Sequence, residues 1–438
     1  MTSHPHRDDG GTAVERRTLS LSRLLKRGVL GAKGQHLGRL ADVIVRLRGT
    51  EYPLVTGLVA DIGGRRIFIP AEVVADWHAE NVQLVTAKVD LREFERRPGE
   101  VLLSADILGH RLIDIPRARL VRAVDLELAR TPDGWVLSGV GTRVRGWWRH
   151  AIGHLRAGKG GTCWRDWKAF EALIGHAPSA TARTGVSRLR RLRPPEIADL
   201  VETASREERS ELLAQVHGDP ELEADVFEEL DDDEQSRLLR DRSDSEAAAV
   251  LTRMEADDAA DALLDLPQDR RRPVLDLLPP PQRTKVTALL GYNATTAGGL
   301  MGLDFLALPA DTTAARALDR IHAARHLPAE ALTTVYSLDG EQRLRGAVSL
   351  VALVQAEPES PLSEIAEADP VRVDPAADLI TAACLMTDYD LLTLPVVDDD
   401  DHVLGVITVD DALEAVVPDN WRHREPEPRQ AHEEEGAD

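Results

Sequence analysis

The chain has few cysteines, no long apolar run and no apolar leader. Cys163 and Cys384 lie far apart among 438 residues and form no CxxC pairing. That pattern excludes a disulfide-stapled scaffold and suits a reducing cytosol. No stretch approaches the ~20 consecutive apolar residues needed to cross a bilayer. Residues 1–17 contain no apolar core, so they read as a disordered leader rather than a signal peptide. Enzyme signatures are also missing. There is no HExxH and no GxSxG. Gly153–Gly161 approaches a phosphate-binding loop, but Gly160 stands where a Ser or Thr must hold Mg2+. The histidines, including the i, i+4 pairs His150/His154 and His322/His326, have no Cys partner at zinc spacing. The expectation is a protein that is not an enzyme.

Charge is present in quantity and unevenly placed. The net charge is -22. Residues 1–193 carry 33 Lys+Arg against 20 Asp+Glu, whereas residues 194–438 carry 20 against 55. A basic part and a strongly acidic part share one chain, and each can attract a partner of opposite sign.

Hydrophobic patterning predicts a multidomain α+β protein. Residues 18–141 read as a small β domain. Val43–Arg48, Leu54–Ile62 and Arg65–Pro70 are short β-branched runs, and Gly63-Gly64 suits a hairpin turn with positive φ. A second set of strands follows, and Gly38–Leu47 resembles Ala118–Ala129, a weak duplication. Residues 142–193 read as a basic connector in which Trp147, Trp148, Trp164 and Trp167 stand among arginines. Aromatic rings stack on bases and arginines pair with phosphates, so RNA or a ribosomal protein is one reading of this surface. Docking on the acidic part is the other.

Residues 194–292 read as helical and repetitive. Leu-Leu pairs recur at 212, 238, 263 and 289, and a period of this size predicts stacked helical hairpins. Residues 293–302 (NATTAGGLMG) read as a glycine hinge. Residues 303–417 read as two β-α-β-β-α repeats in which Gly346 matches Gly405 and Ser349 matches Thr408. Residues 418–438 read as a disordered tail.

These blocks carry family resemblances. Residues 18–141 resemble a PRC-barrel. Residues 193–417, with the Ala297–Met301 AGGLM run and Asp388–Val416, resemble the cytosolic region of MgtE-type magnesium channels: a helical domain, then a tandem CBS pair. Membrane helices follow in that family, and the chain stops at Asp438, so the resemblance implies a magnesium-sensing gate without its pore. It implies Mg2+ ligands at Asp225, Asp257, Asp261, Asp378, Asp390, Asp411 and Glu414, where loose carboxylate clusters suit a cation that keeps its waters. Ile380 departs from an acidic family position, and Thr295-Thr296 replace acidic residues. The resemblance further implies an adenine nucleotide at Thr408 and Asp411, at the start of a helix that favours anions. In the first repeat Val351 and Ala352 replace the corresponding Arg and Asp. The implied partners are a second copy through the CBS pair and a separately encoded membrane transporter. The implied location is cytoplasmic, at or near the inner face of the membrane.

Overall fold

The computed structural model describes residues 18–143, 162–173 and 188–417, apart from single positions 50, 79, 87, 89, 91, 98 and 326. The leader, the tail, Trp147-Trp148, the Gly153–Gly161 loop, His150, His154, His176 and His326 lie outside the described residues. The chain divides into two compact units, residues 1–226 and 227–438.

A 13-stranded sheet fills most of the first unit. We number its strands β1 (Thr18–Ser20), β2 (Gly28–Leu30), β3 (His36–Arg48), β4 (Glu51–Ile62), β5 (Arg65–Pro70), β6 (Val74–Trp77) and β7 (Asn81–Leu84). The second set is β8 (Glu100–Leu102), β9 (Arg111–Asp114), β10 (Arg119–Thr131), β11 (Gly134–Arg143), β12 (Thr162–Asp166) and β13 (Phe170–Ala172). Apolar residues alternate along these strands and close a core that includes Leu40, Val45, Leu58, Leu126, Leu128 and Leu137. Gly63 and Gly64 take φ of 60° and 78°, the positive values that the tight β4–β5 turn requires.

The two sets of strands repeat one another, and they exchange their first strands. β1 opens the first set but pairs with β10 of the second. β8 opens the second set but pairs with β3 of the first. One carboxylate organises each exchange. Asp42, 1% exposed, sits at a bulge in β3 and accepts from the backbone N–H of Val43, Ser104 and Ala105. Asp125 sits at the matching bulge in β10 and accepts from the N–H of Leu126 and Ser22 and the hydroxyls of Ser20 and Ser22. Each Asp thus ties down the single helical turn that follows the exchanged strand. The turn before β2 places Lys26 at φ 66°, and the turn before β9 places Gly109 at φ 84°. The duplication legible at Gly38–Leu47 is real, with Asp42 matching Asp125.

The sheet reaches further than the sequence suggested. β12 pairs with β11 and β13 pairs with β9, so both strands lie within the stretch read as a connector. Trp167, 4% exposed, joins the core there, and Arg188 donates to the carbonyls of Lys168 and Phe170. A tryptophan among arginines is in this case a core residue, because the strand on each side of it is paired.

Eight short helices follow in sequence: Pro194–Thr203, Arg206–Val216, Pro220–Glu228, Asp232–Arg240, Asp244–Leu251, Ala256–Asp265, Gln268–Leu277 and Pro280–Leu289. Each Leu-Leu pair falls in or at the end of every second helix. Leu212, Leu239, Leu263 and Leu289 are the buried members. Ser205 and Ser243 start their helices with capping boxes to Glu208 and Glu246, satisfying N–H groups that would otherwise be orphaned. In the first unit Arg111 of β9 pairs with Glu208. Burial raises the Glu208 carboxyl, but the Arg111 and Ser205 hydrogen bonds outweigh it and bring it down to about 2.

In the second unit two β-α-β-β-α repeats follow the helices. The first contributes Leu306–Pro309, Thr334–Leu338 and Leu344–Ser349, and the second contributes Thr393–Val397 and Val403–Thr408. The buried hydroxyls of Tyr336 and Thr393 join the repeats at 2.8 Å. Gly346 and Gly405 occupy matching strand positions, and a Cβ at either would lie within 3 Å of the segment crossing over it. The AGGL run behaves differently from a hinge. Ala297–Leu300 is a helical turn whose N–H groups at Ala297 and Gly298 donate to Ala377 and Pro375. A Cβ on Gly298 would meet the Tyr292 ring at 2.5 Å, and one on Gly299 would meet the Asn293 carbonyl at 2.3 Å. Both glycines are there because the packing leaves no room for a side chain.

Asp42→Ala removes the acceptor of three backbone N–H groups, that of Val43 buried and those of Ser104 and Ala105 partly so. It should cost the first unit about 2–4 kcal/mol in urea unfolding, and Asp125→Ala should cost at least about 1 kcal/mol. The exposed Asp133→Ala is the control, and equal stability of all three variants would contradict the account.

Candidate functional site

The helix Ala256–Asp265 carries two consecutive acidic residues in its first turn, Asp257-Asp258, after Glu255 as its N-cap. Acidic residues suit a helix N-terminus. Here the chain places more negative charge than a helix end needs. Asp257 is 8% exposed, and its Oδ1 has no hydrogen-bond partner among the described residues. An unpaired buried carboxylate oxygen is costly and calls for an explanation. Asp258 is half-buried, while Glu255 and Asp261 expose part of their surface and keep their carboxyls partly withdrawn from water.

The second element of the site is the helix Val409–Val416, which starts immediately after the last strand of the second repeat. Asp410 and Asp411 occupy its first turn. Asp411 is the acidic group with the largest effect on Asp257 and on Glu255, so the two helix starts face each other electrostatically. Withdrawal from water, then Asp411, Glu228 and other carboxylates, push Glu255 up to about 7. Asp257 and Asp258 are held well above the usual carboxylate range, first by burial and then by neighbouring carboxylates. Asp261 is pushed up to about 6 by burial, Asp232 and Asp265. Asp411 is raised by burial and by Asp410 and Glu330, partly offset by its hydrogen bond from Thr408. None of the dominant influences on Glu255, Asp257, Asp258 or Asp411 is a cation. Lys285 is engaged with Asp304 at 2.6 Å.

Of the residues expected to bind metal, the structure brings together Asp257, Asp261 and Asp411. Asp378 is an exposed N-cap that accepts from the N–H and hydroxyl of Thr381, which holds its carboxyl below the usual range. Asp390 is exposed at φ 53°, and Glu414 is exposed on the last helix. Asp225 is exposed in the first unit, on Pro220–Glu228. Sequence reasoning missed Glu255, Asp258, Asp410, Glu228, Glu330 and Asp304. Glu255 and Asp258 adjoin Asp257 in sequence, so an acidic run at a helix start was a usable signal. Glu330, in a loop of the first repeat, had none.

Among the described residues, no three His, Cys, Asp or Glu side chains stand close enough to hold a metal ion directly. The donor set suits a hydrated divalent cation held mostly through its waters, as Mg2+ prefers. Thr408 and Asp411, expected to bind a nucleotide, are engaged with each other. The Thr408 hydroxyl donates to Asp411, and together they form the capping box of Val409–Val416. A cleft of about 270 Å³ lies instead beside Ser349, between Tyr336, Asp390 and Thr393.

Two stretches of the chain carry known domain families. Residues 192–295 match the MgtE intracellular N domain, and residues 362–418 match the CBS domain. Both are regulatory domain classes. The relatives are more particular. The magnesium transporter MgtE of Thermus thermophilus is 32% identical over 196 residues, 44% of this chain and 43% of that one. The Bacillus subtilis magnesium transporter MgtE is 25% identical over 193 residues, with the same shares. The chain thus spans less than half the length of these curated relatives. Among solved structures, the cytosolic domain of the Mg2+ channel MgtE in complex with ATP is 31% identical, with a TM-score of 0.49, over 52% of this chain and 92% of that one. The soluble part of a magnesium transporter is 28% identical, with a TM-score of 0.47, over 52% and 89%. No helix among the described residues is long and apolar enough to cross a membrane.

The cluster fixes the sign of a pH dependence. In the folded protein Glu255 is pushed up to about 7 and Asp261 to about 6, and Asp257, Asp258 and Asp411 are raised as well, whereas the unfolded chain releases its carboxyl protons near about 4. The folded state therefore binds more protons across that interval, and stability falls as pH rises through it. Without divalent cations, the second unit should melt at a higher temperature near about pH 5.5 than near about pH 8, and Asp257→Asn should flatten the difference. A slope unchanged in the variant would remove the cluster from the explanation.

Proposed function

We propose that the chain is a Mg2+-sensing regulatory protein, with its metal site among Asp257, Asp261 and Asp411 and with Glu255 and Asp258 alongside. One observation carries this reading: Asp257 is buried among carboxylates with an oxygen that no group among the described residues satisfies. A hydrated cation supplies the missing donors through its waters and cancels the mutual repulsion. The names of the matched relatives favour Mg2+ as that cation. Asp378, Asp390 and Glu414 are assigned as outer contributors to the acidic field, and Asp225 as a separate acidic contributor of the first unit.

The cation's effect follows from electrostatics. The start of Ala256–Asp265 and the start of Val409–Val416 repel one another when ionised. Mg2+ between them favours the packed arrangement over a loosened one, a population shift set by differential affinity. The output in this proposal is an altered surface read by a separately encoded membrane transporter, with the chain cytoplasmic and peripheral to the membrane. A homodimer through the CBS pair belongs to the same proposal. Val351, Val354, Ile380 and Leu413 stand 55–69% exposed on its helices, more apolar surface than a lone module needs.

An adenine nucleotide is the second ligand we assign to Thr408 and Asp411. The surrounding carboxylates would repel a free triphosphate, so the bound form is its Mg2+ complex. The RNA reading of the basic part draws no support from the matched families, and much of its Trp/Arg sequence lies outside the described residues.

Mg2+ should raise the melting temperature of the full-length protein at about pH 8 in a saturable way, by several degrees at high occupancy. K+ at matched ionic strength should not. Asp257→Asn should abolish most of the Mg2+ response while raising stability in its absence. An equal response to K+, or an unaltered response in Asp257→Asn, would reduce the cluster to a solvated acidic surface.

A further inference from the structure

The duplicated halves of the N-terminal sheet differ at one edge. In the first half the chain itself covers the outer edge of β5. The Phe94 N–H donates to the Arg66 carbonyl at 2.7 Å, and Glu93 bridges Ile67 in antiparallel fashion. The Phe94 ring stacks on Phe68 with centroids 6.4 Å apart. Residues 93–94 act as an added strand, and one aromatic pair fixes its register.

The registers show what occupies the same place in the second half. Asp42 lies opposite Val59, which pairs with Phe68. Asp125 lies opposite Gly141, which pairs with Trp164. Trp164 therefore stands where Phe68 does, Cys163 where Ile67 does, and Thr162 where Arg66 does. Trp164 is 42% exposed, and Cys163 is exposed. Among the described residues, β12 pairs only with β11, and nothing pairs with its outer edge. An open edge with an exposed ring is a surface that folded proteins ordinarily protect.

We propose that the outer edge of β12 docks an extended segment of a partner protein that carries an aromatic residue between acidic ones. Main-chain hydrogen bonds to the edge supply the affinity, and the ring on Trp164 sets the register. The template is the chain's own Glu93-Phe94-Glu95. The floor beneath the edge explains why the contact is reversible. Ile44, Val59 and Leu102 underlie the covered edge of the first half. Glu127, Gly141 and Ser20 take those places in the second, leaving the ring and the backbone to hold the segment. This proposal stands apart from the Mg2+ reading.

The test uses a fluorescein-labelled peptide with the sequence of residues 90–96 (Asp-Leu-Arg-Glu-Phe-Glu-Arg), titrated with the full-length protein. Expected is saturable binding that Trp164→Ala weakens about three- to tenfold, as does Ala for Phe in the peptide. The bound peptide should also slow thiol labelling of Cys163 but not of Cys384. No saturation below about 1 mM overturns the proposal. So does binding that leaves Cys163 labelling unchanged, which would place the peptide on β5 in exchange for the chain's own segment. Cys163–Cys163 cross-linking of the protein alone, lost in Trp164→Ala, would assign the edge to a second copy and overturn the partner assignment.

Discussion

The second unit depends on one unbalanced interaction: the carboxylates at the start of Ala256–Asp265 face those at the start of Val409–Val416 with no cation among their dominant influences. Folding concentrates them because each lies at a helix N-terminus, where a carboxylate is locally favourable. The local preference of each helix and the repulsion between the two are in conflict. Protons relieve it below neutral pH, and a divalent cation can relieve it above. A conflict held in place by well-packed elements is what allows a small ion to bias a conformational equilibrium.

The packing around that site leaves little slack. The AGGL turn is pinned to residues 375–377 by backbone hydrogen bonds, and Tyr292 and Asn293 fill the space beside its glycines. Tyr336 and Thr393 lock the two repeats at their buried hydroxyls. Any cation-driven change has to act on the approach of whole helix ends rather than on a loose glycine joint. In the first unit, two aspartates play a comparable organising part. Asp42 and Asp125 each receive the turn after an exchanged strand, and without them neither exchange would be fixed.

Much of this was legible in the sequence, for physical reasons that differ by region. The helical repeat announced itself because every second helix buries a leucine at a fixed place, and Leu212, Leu239, Leu263 and Leu289 are those residues. The matching glycines Gly346 and Gly405 were legible because only glycine fits where a neighbouring segment crosses a strand. The β domain was legible as β-rich and duplicated, but strand exchange was not, since pairing between distant segments leaves no periodic trace. β12 and β13 were hidden by a basic, Trp-rich composition, although Trp167 joins the core and Arg165 and Arg188 turn inward to Asp114 and to the carbonyls of Lys168 and Phe170. Asp257, Asp261 and Asp411 could be named from a family resemblance, whereas Glu330 and Asp304 join the field only through tertiary packing. Adjacent glycines such as Gly298-Gly299 signal either freedom or tight contact, and sequence does not distinguish the two; the structure shows the tight contact, with Tyr292 and Asn293.

The most direct measurement is the number of protons released when Mg2+ binds, from calorimetric titrations of the full-length protein in buffers of different ionisation enthalpy near neutral pH. If Mg2+ replaces the protons that the cluster holds, release should be measurable near pH 6.5, should shrink toward pH 8.5, and should fall in Asp257→Asn. Mg2+ binding with no proton release at any of these pH values, or release unchanged in that variant, would contradict the account.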